Sequence, residues 1–268
     1  MKVSRSLWAL IWKLKAVHWL YVLLHVLLLA MGFLLVMTKA LAAVAIGASL
    51  IATATAGLTL FLYLWLTQEE LRGLQVLRKF GLVDAFEVRS AGIKHEYDAR
   101  LNVASDAIDI LGFGLRTLRE DYSEAFGSWA GRATVRILLL DPEFPTVEHP
   151  LGDQRDAEEN DNPGTITTDV HDFVRHCAEL LKRPGCKFHL RLFRCLPSVN
   201  LLRIDGNLFW GPYLIGGVSR NLPTLLVRRP GLLYDRLVAH FDAIWSSDTF
   251  SRAVPNEWLT LHADEGRS

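Results

Sequence analysis

"PSVNLLRIDGNLFWGPYL", Pro197 to Leu214, is the stretch on which the fold turns. An apolar run from Val199 to Ile204 enters Asp205-Gly206, and a second run from Leu208 closes on Gly211. Short apolar runs bounded by Asp and Gly read as successive β-strands. Outward from this pair, Lys187 to Arg194 and Leu225 to Arg228 read as further strands. Upstream, the periodicity predicts a helix over Ile93–Ser105 and a buried strand over Ala107–Gly112. Leu115–Ala130 reads as one amphipathic helix, with Leu118, Tyr122, Ala125, Phe126 and Trp129 on its apolar face. Val135–Leu140 is a strand ending in Asp141-Pro142, and residues 143–164, rich in Pro, Asp and Glu, have the composition of an exposed loop. Thr168–Lys182 returns to helix. Gly231–Trp245 closes the pattern with Leu233, Leu237, Phe241 and Trp245 along one side. Helices alternating with short apolar strands predict an α/β domain, a sheet flanked by helices.

The N-terminal quarter has a different character. The chain has 268 residues, no formal net charge and 50% hydrophobic content, and the apolar residues are concentrated early. Val17–Met37 holds 21 residues without a charge, and Ala40–Leu66 holds 27. A bilayer core needs about 20 apolar residues in a helix, so each run can span. The first is too long for a signal peptide, and a second span follows almost at once. Lys2, Arg5, Lys13 and Lys15 precede the hairpin, Arg72, Arg78 and Lys79 follow it, and Lys39 alone lies within it. That asymmetry puts both termini in the cytoplasm. Cys177, Cys186 and Cys195 are then thiols in a reducing compartment, best read as core residues.

These features divide the chain into an amphipathic N-terminus and two-helix hairpin (1–67), a helical stalk (68–92), the α/β domain (93–246) and a C-terminal tail (247–268). The second span carries small residues at spacing four, Ala48-Ala52-Ala56 and Ser49-Thr53-Gly57. Small rows let helices approach closely, either within the hairpin or between copies of the chain. His18 and His25 share one face of the first span, and the deeper His25 is the candidate for a polar seam or pore.

Gly112-Phe113-Gly114 stands where a dinucleotide fingerprint would, but Thr117 occupies the sixth position, and a tight strand-to-helix turn is the better reading. Arg116 could assist an anion at that helix start. His171 and His176 are five apart, on different helix faces, so neither metal nor cofactor is expected. Asp141 ends a strand at the side of the sheet where α/β proteins bind ligands.

From Ile93 onward the order of elements resembles one half of a phospholipase D-like fold. The residues that carry the likeness are "IDILGF", "VRILLLDP", "LRLF", "NLLRIDGNLFWGP" and "LYDRLVAHFDAIW", roughly 93 to 246. That superfamily carries His-x-Lys-x4-Asp on the strand ending at Asp205, where this chain has Ser198 and Asn200 in the His and Lys slots. A Ser without a base is a poor nucleophile, and Asn supplies no positive charge for a developing phosphorane. The resemblance therefore implies a degenerate domain with no catalytic residues that retains phosphate recognition. The residues it assigns are Asn200 and Arg203 beside Asp205, Arg191 or Arg194 on the strand before, and Arg220 in the following loop, the alternative being that these arginines are a solvated sheet edge; Arg116 and Asp141 join the candidate ligand set on the separate grounds given above. Compact two-span proteins of this layout resemble membrane effectors of bacterial antiphage defence. The resemblance implies that a nucleotide second messenger, or a partner such as a cyclase or a reverse transcriptase/DNA complex, signals to a homo-oligomer that disrupts the bilayer. The competing expectations are a membrane-bound phosphodiesterase or phospholipase using His189 or His240, and a ligand-free adaptor.

Overall fold

The computed structural model describes residues 16–38, 40–87, 91–196, 199–215 and 222–260. Ser198, Arg220 and the basic N-terminal segment lie outside the described residues. The chain divides into two units, Met1–Gln75 and Val76–Ser268.

The first unit is built from α1, Ala16–Met37, and most of α2, Leu41–Phe80. Within them His18–Met37 (20 residues, mean hydropathy 2.6) and Leu41–Gln68 (28 residues, mean hydropathy 1.9) are long and apolar enough to cross a membrane. The exposed threonines of α2 satisfy their hydroxyls within their own helix. Thr53, Thr55, Thr59 and Thr67 each donate to the carbonyl four residues back, at 2.8–2.9 Å. The two helices meet where they lack side chains: a Cβ on Gly47 would stand 2.6 Å from the Gly32 carbonyl oxygen. Nearer the N-terminal end of α1, His25 fills the notch left by Gly57, and any Cβ at 57 would collide with its imidazole. Tyr21 donates its hydroxyl to the Gly57 carbonyl at 3.3 Å and stacks on Phe61 at 5.6 Å. Gly57 is thus spent inside the hairpin, whereas Ala48, Ala52 and Ala56 are exposed on the opposite side. Of the Ser49-Thr53-Gly57 row only Gly57 turns inward, and Ser49 and Thr53 are exposed as well.

In the second unit an eight-stranded mixed sheet carries helices on both faces. Its strands are β1 (Leu82–Phe86), β2 (Ala107–Leu111), β3 (Thr134–Leu140), β4 (Phe188–Phe193), β5 (Val199–Ile204), β6 (Asn207–Pro212), β7 (Thr224–Arg228) and β8 (Ser251–Ala253). The spatial order is β1-β7-β6-β5-β2-β3-β4-β8, with β2, β3 and β4 parallel and the remaining pairs antiparallel. Helices α3 (Ala91–Leu101), α4 (Arg116–Tyr122), α5 (Phe126–Arg132), α6 (Leu151–Glu159), α7 (Thr165–Lys182), α8 (Leu232–Ser246) and α9 (Asn256–Thr260) complete the unit.

Alternation along each strand sorts the core onto the two faces. Phe209 and Phe188, on one face, receive Tyr97 of α3 edge-on at 4.7 Å and Phe126 of α5 at 5.6 Å. Phe126 then stacks toward Phe173 of α7 at 5.5 Å. Side chains of this size each stabilise by about 1.5–3 kcal/mol on full burial. The opposite face meets α8, where Phe241 lies under the Arg136 guanidinium at 4.9 Å.

Four sequence expectations are corrected here. The single helix over Leu115–Ala130 is broken: Tyr122 leaves helical backbone (φ −132°) and a 3₁₀ turn, Ser123–Ala125, separates α4 from α5. The broken turn lets the Tyr122 hydroxyl donate to Asp98 at 2.7 Å. The supposed loop 143–164 contains α6. The stalk 68–92 is helical only to Phe80 and then supplies β1, an edge strand paired with β7. The tail 247–268 contributes β8, paired with β4, and α9.

Candidate functional site

Topology separates the nominated residues. Because β5 runs antiparallel to β2, Asn200 at its start lies beside the carboxyl end of β2, while Asp205 lies at the opposite edge of the sheet. Five residues of strand put roughly 16 Å between them. Arg203, Asp205, Asn200 and Arg194 therefore do not converge on one phosphate-sized site, contrary to the expectation that they share a pocket.

At the amino edge, Asp205 holds a left-handed backbone (φ 50°) and turns its carboxylate back onto the sheet. That carboxylate accepts the backbone N–H groups of Ser105 (3.1 Å), Asp106 (2.9 Å) and Ala107 (3.0 Å), tying the β5–β6 hairpin to the start of β2. Its own carbonyl accepts the Tyr234 hydroxyl at 2.7 Å; burial raises the pKa of that phenol. Asp205 is a structural clamp. Arg203 points the other way, into a row of charges across the sheet face under α8. Its Nη1 donates to Asp109 Oδ2 at 2.8 Å, and Arg136 grips the same carboxylate with Nε on Oδ1 (2.7 Å) and Nη2 on Oδ2 (2.8 Å). Asp109 is 1% exposed, so the two arginines are what make its charge tolerable. Burial opposes the charge on Arg136, but its bonds to Asp109 and Asp242 raise its pKa. Sequence reasoning missed Asp109 and Arg136. The available signal was an Asp inside the apolar run "AIDIL" of β2.

The carboxyl edge of β2, β3 and β4 carries the remaining candidates. Asp141, fully buried, forms ion pairs with Arg252 of β8 (Nε 2.6 Å from Oδ2) and Arg194 (Nε 3.3 Å from Oδ2). Arg252 also donates Nη2 to Asp141 Oδ1 and to Glu143, both at 2.7 Å. Arg116 donates Nε to Asp169 at 2.8 and 3.0 Å, a bond that raises its pKa. Arg191 lies at the outer strands, donating to the Ser251 hydroxyl at 2.9 Å and pairing with Asp248 at 2.9 Å. All five nominated arginines except Arg220 are described, and each of the four has an acidic or hydroxyl partner from the fold itself. None is a free phosphate fork, though Arg116 and Arg194 keep 46% and 41% of their side chains exposed.

Asn200 differs. It is 4% exposed and lies in register with Gly211 of β6, where a Cβ would stand 3.3 Å from its Nδ2. Around this edge the strand-to-helix turn after β2 passes through Leu115 in left-handed backbone (φ 52°), its side chain covering Gly112. Phe113 meets Tyr213 edge-on at 4.5 Å, and the buried Arg155 places its guanidinium 5.8 Å from the first ring and 5.3 Å from the second.

His189 is exposed on β4 and His240 sits on α8, where burial lowers its pKa. Neither has a carboxylate bonded to it among the described residues, so no nucleophile–base pair is assembled around them. No group of three metal-ligating side chains occurs among the described residues. Cys177 is buried, which pushes its thiol up to about 12, and Cys195 is shifted the same way. Both are poor nucleophiles at neutral pH. Cys186 and Cys195 are only half-buried, so the core-thiol expectation holds fully for Cys177 alone.

No family model and no curated protein matches this chain. Among solved structures it is similar to TrmBL2, an archaeal chromatin protein with a novel mode of DNA binding. The two share 12% identity over 77% of this chain and 70% of that one, with a TM-score of 0.42.

Proposed function

We propose that this chain is a membrane-anchored effector whose α/β unit receives a nucleotide or partner signal and whose two-span hairpin, gathered into oligomers, then disrupts the bilayer. The observation that carries the reading is the second helix. It runs unbroken from Leu41 through the apolar span to Phe80, one residue before the first strand of the sheet. The exposed row Ala48-Ala52-Ala56 supports association between copies, since close helix packing in lipid favours small side chains.

A degenerate phospholipase D-like ancestry for the α/β unit is supported by the antiparallel β5–β6 pair around Asp205-Gly206. Asn200 stands there at the place of the catalytic Lys, and the closing helix carries Phe241 and Trp245 stacked at 5.9 Å. On this reading the domain is a receptor and not an enzyme, and the setting is antiphage defence at the bacterial inner membrane. The test is membrane potential during infection. Cells carrying the gene with its neighbours, challenged with phage and stained with a voltage dye, should depolarise before lysis. Cells carrying a chain cut after Gln75 should not. Protection with an unchanged potential would rule the effector reading out.

A further inference from the structure

We infer that the corner formed by the end of α2, the start of β1 and the β7–α8 turn is a docking surface for anionic lipid headgroups. This rests on the proposal above only in taking the chain to be anchored in a bilayer. Backbone contacts between segments distant in sequence build the corner. Gly81 donates to the Arg78 carbonyl at 3.1 Å and accepts from the Arg228 N–H at 2.9 Å, and Leu82 then pairs with Val227. Gly81 and Gly231 cross so closely that a Cβ on Gly231 would stand 2.6 Å from the Gly81 Cα and 2.9 Å from the Phe80 carbonyl oxygen. The crossing gathers Arg78 and Lys79 of the last turn of α2, Arg228 and Arg229 at the end of β7, and Arg236 on the second turn of α8.

All five are exposed, and none forms an ion pair among the described residues. In this they differ from Arg116, Arg136, Arg203 and Arg252, each of which holds a carboxylate of the fold. The exposed acids nearest along the same segments are Asp84 and Asp235, so positive charge predominates. Leu77, Phe80 and Leu232 lie among these bases and are 42–44% exposed. Bases interleaved with bare Phe and Leu suit the headgroup boundary, where the charges meet phosphates and the apolar groups enter the upper acyl chains. Arg78 follows Gln68, the end of the second span, by ten residues. Ten residues of chain reach no more than about 35 Å in any conformation, so the anchor keeps this corner within reach of headgroups. That tether, added to the charge, favours lipid over a soluble polyanion.

The test is amide hydrogen exchange on the full chain in nanodiscs, of phosphatidylcholine alone or of phosphatidylcholine mixed with phosphatidylglycerol. The readout is Leu232 and Leu233, first-turn amides of α8 that no side chain caps and that exchange freely unless covered. Phosphatidylglycerol should slow them, and salt at about 1 M, which screens charges beyond ~3 Å, should abolish the slowing. Each arginine near an anionic surface strengthens docking about fivefold, so Arg228→Gln with Arg229→Gln should cut the slowing roughly twentyfold. Arg228→Lys with Arg229→Lys should keep it. Exchange at Ile108–Leu111 should be the same in every variant, which separates lost charge from lost fold. Equal exchange in the two kinds of disc would overturn the inference. So would slowing that survives the glutamine pair, or slowing that a soluble DNA oligonucleotide reproduces in phosphatidylcholine discs. A chain that enters neither disc would sink the membrane anchor and this surface with it. Docking without any effect on membrane potential would instead sink the effector reading and leave the lipid surface standing.

Discussion

Arg203 and Arg136 together hold one buried carboxylate, and removing either should be felt as stability. Asp109 accepts three charge-assisted hydrogen bonds, two from Arg136 and one from Arg203, at 2.7–2.8 Å. Both arginines are mostly buried, with side-chain exposures of 21% and 14%, so solvent screening does not erase the interaction. Arg203→Met removes one bond to a charged group and should cost about 1.5–3 kcal/mol. Arg136→Met removes two and strips Asp242 of its partner at 2.9 Å, and should cost about 3–5 kcal/mol, the range for breaking a buried pair. Replacing all three, with Asp109→Leu added, should recover most of the loss, because no uncompensated charge is left behind. The assay is amide hydrogen exchange by mass spectrometry on the full chain, read at Ile108–Leu111. There, 3 kcal/mol appears as roughly a hundredfold faster exchange. If Arg203→Met exchanges like the parent chain while losing ligand affinity, the structural assignment is wrong and Arg203 returns to the binding site.

Gly57→Leu should force α1 and α2 apart by colliding with His25, and Gly57→Leu with His25→Ala should restore the packing. The thermal melting of the helices in detergent, followed by circular dichroism, reads this, and equal melting temperatures in the single and double variants would refute the notch. The imidazoles of His171 and His240 titrate lower in the folded chain than the ordinary 6.5, both chiefly through burial. Unfolding therefore takes up protons below 6.5, and the stability that the neutral rings provide, complete above that value, is lost as pH falls. The melting temperature should drop between pH 7.5 and 5.5, and drop less in His240→Gln; identical pH profiles would count against it. The full chain should not turn over bis-p-nitrophenyl phosphate. Turnover abolished by His189→Ala or His240→Ala would establish the enzymatic alternative.

What was legible in the sequence is what apolar periodicity encodes. The β5–β6 pair and the alternation of helices with strands bury apolar residues at regular spacing and appear where that spacing places them, and the two long apolar helices follow from run length alone. Helix α6 escaped notice because the residues it buries are Gly152, Arg155 and Asp156, none of them an apolar marker. Arg155 is accommodated by two rings and by carboxylates at Glu158 and Glu159, and Asp156 by capping the backbone of Ile166. Strand β8 is three residues long and is held by side chains, notably Arg191 on Ser251, which no local pattern reveals. The candidate site misled for a related reason. An arginine reads the same whether it awaits a phosphate or already holds a carboxylate 94 positions away, as Arg203 holds Asp109. In the hairpin, two small-residue rows one position apart looked equivalent. Only the packing of His25 distinguishes the inward Gly57 from the outward Ala48-Ala52-Ala56.

The effector reading depends on the chain crossing the bilayer twice with the α/β unit left in the cytoplasm. The most direct measurement is a pair of reporters, alkaline phosphatase and green fluorescent protein, fused in turn after Ser268 and after Thr38, between the spans. A cytoplasmic α/β unit gives fluorescence and no phosphatase activity at Ser268, and phosphatase activity without fluorescence at Thr38. Strong phosphatase activity at Ser268, or fluorescence at both positions in the soluble fraction, would contradict it.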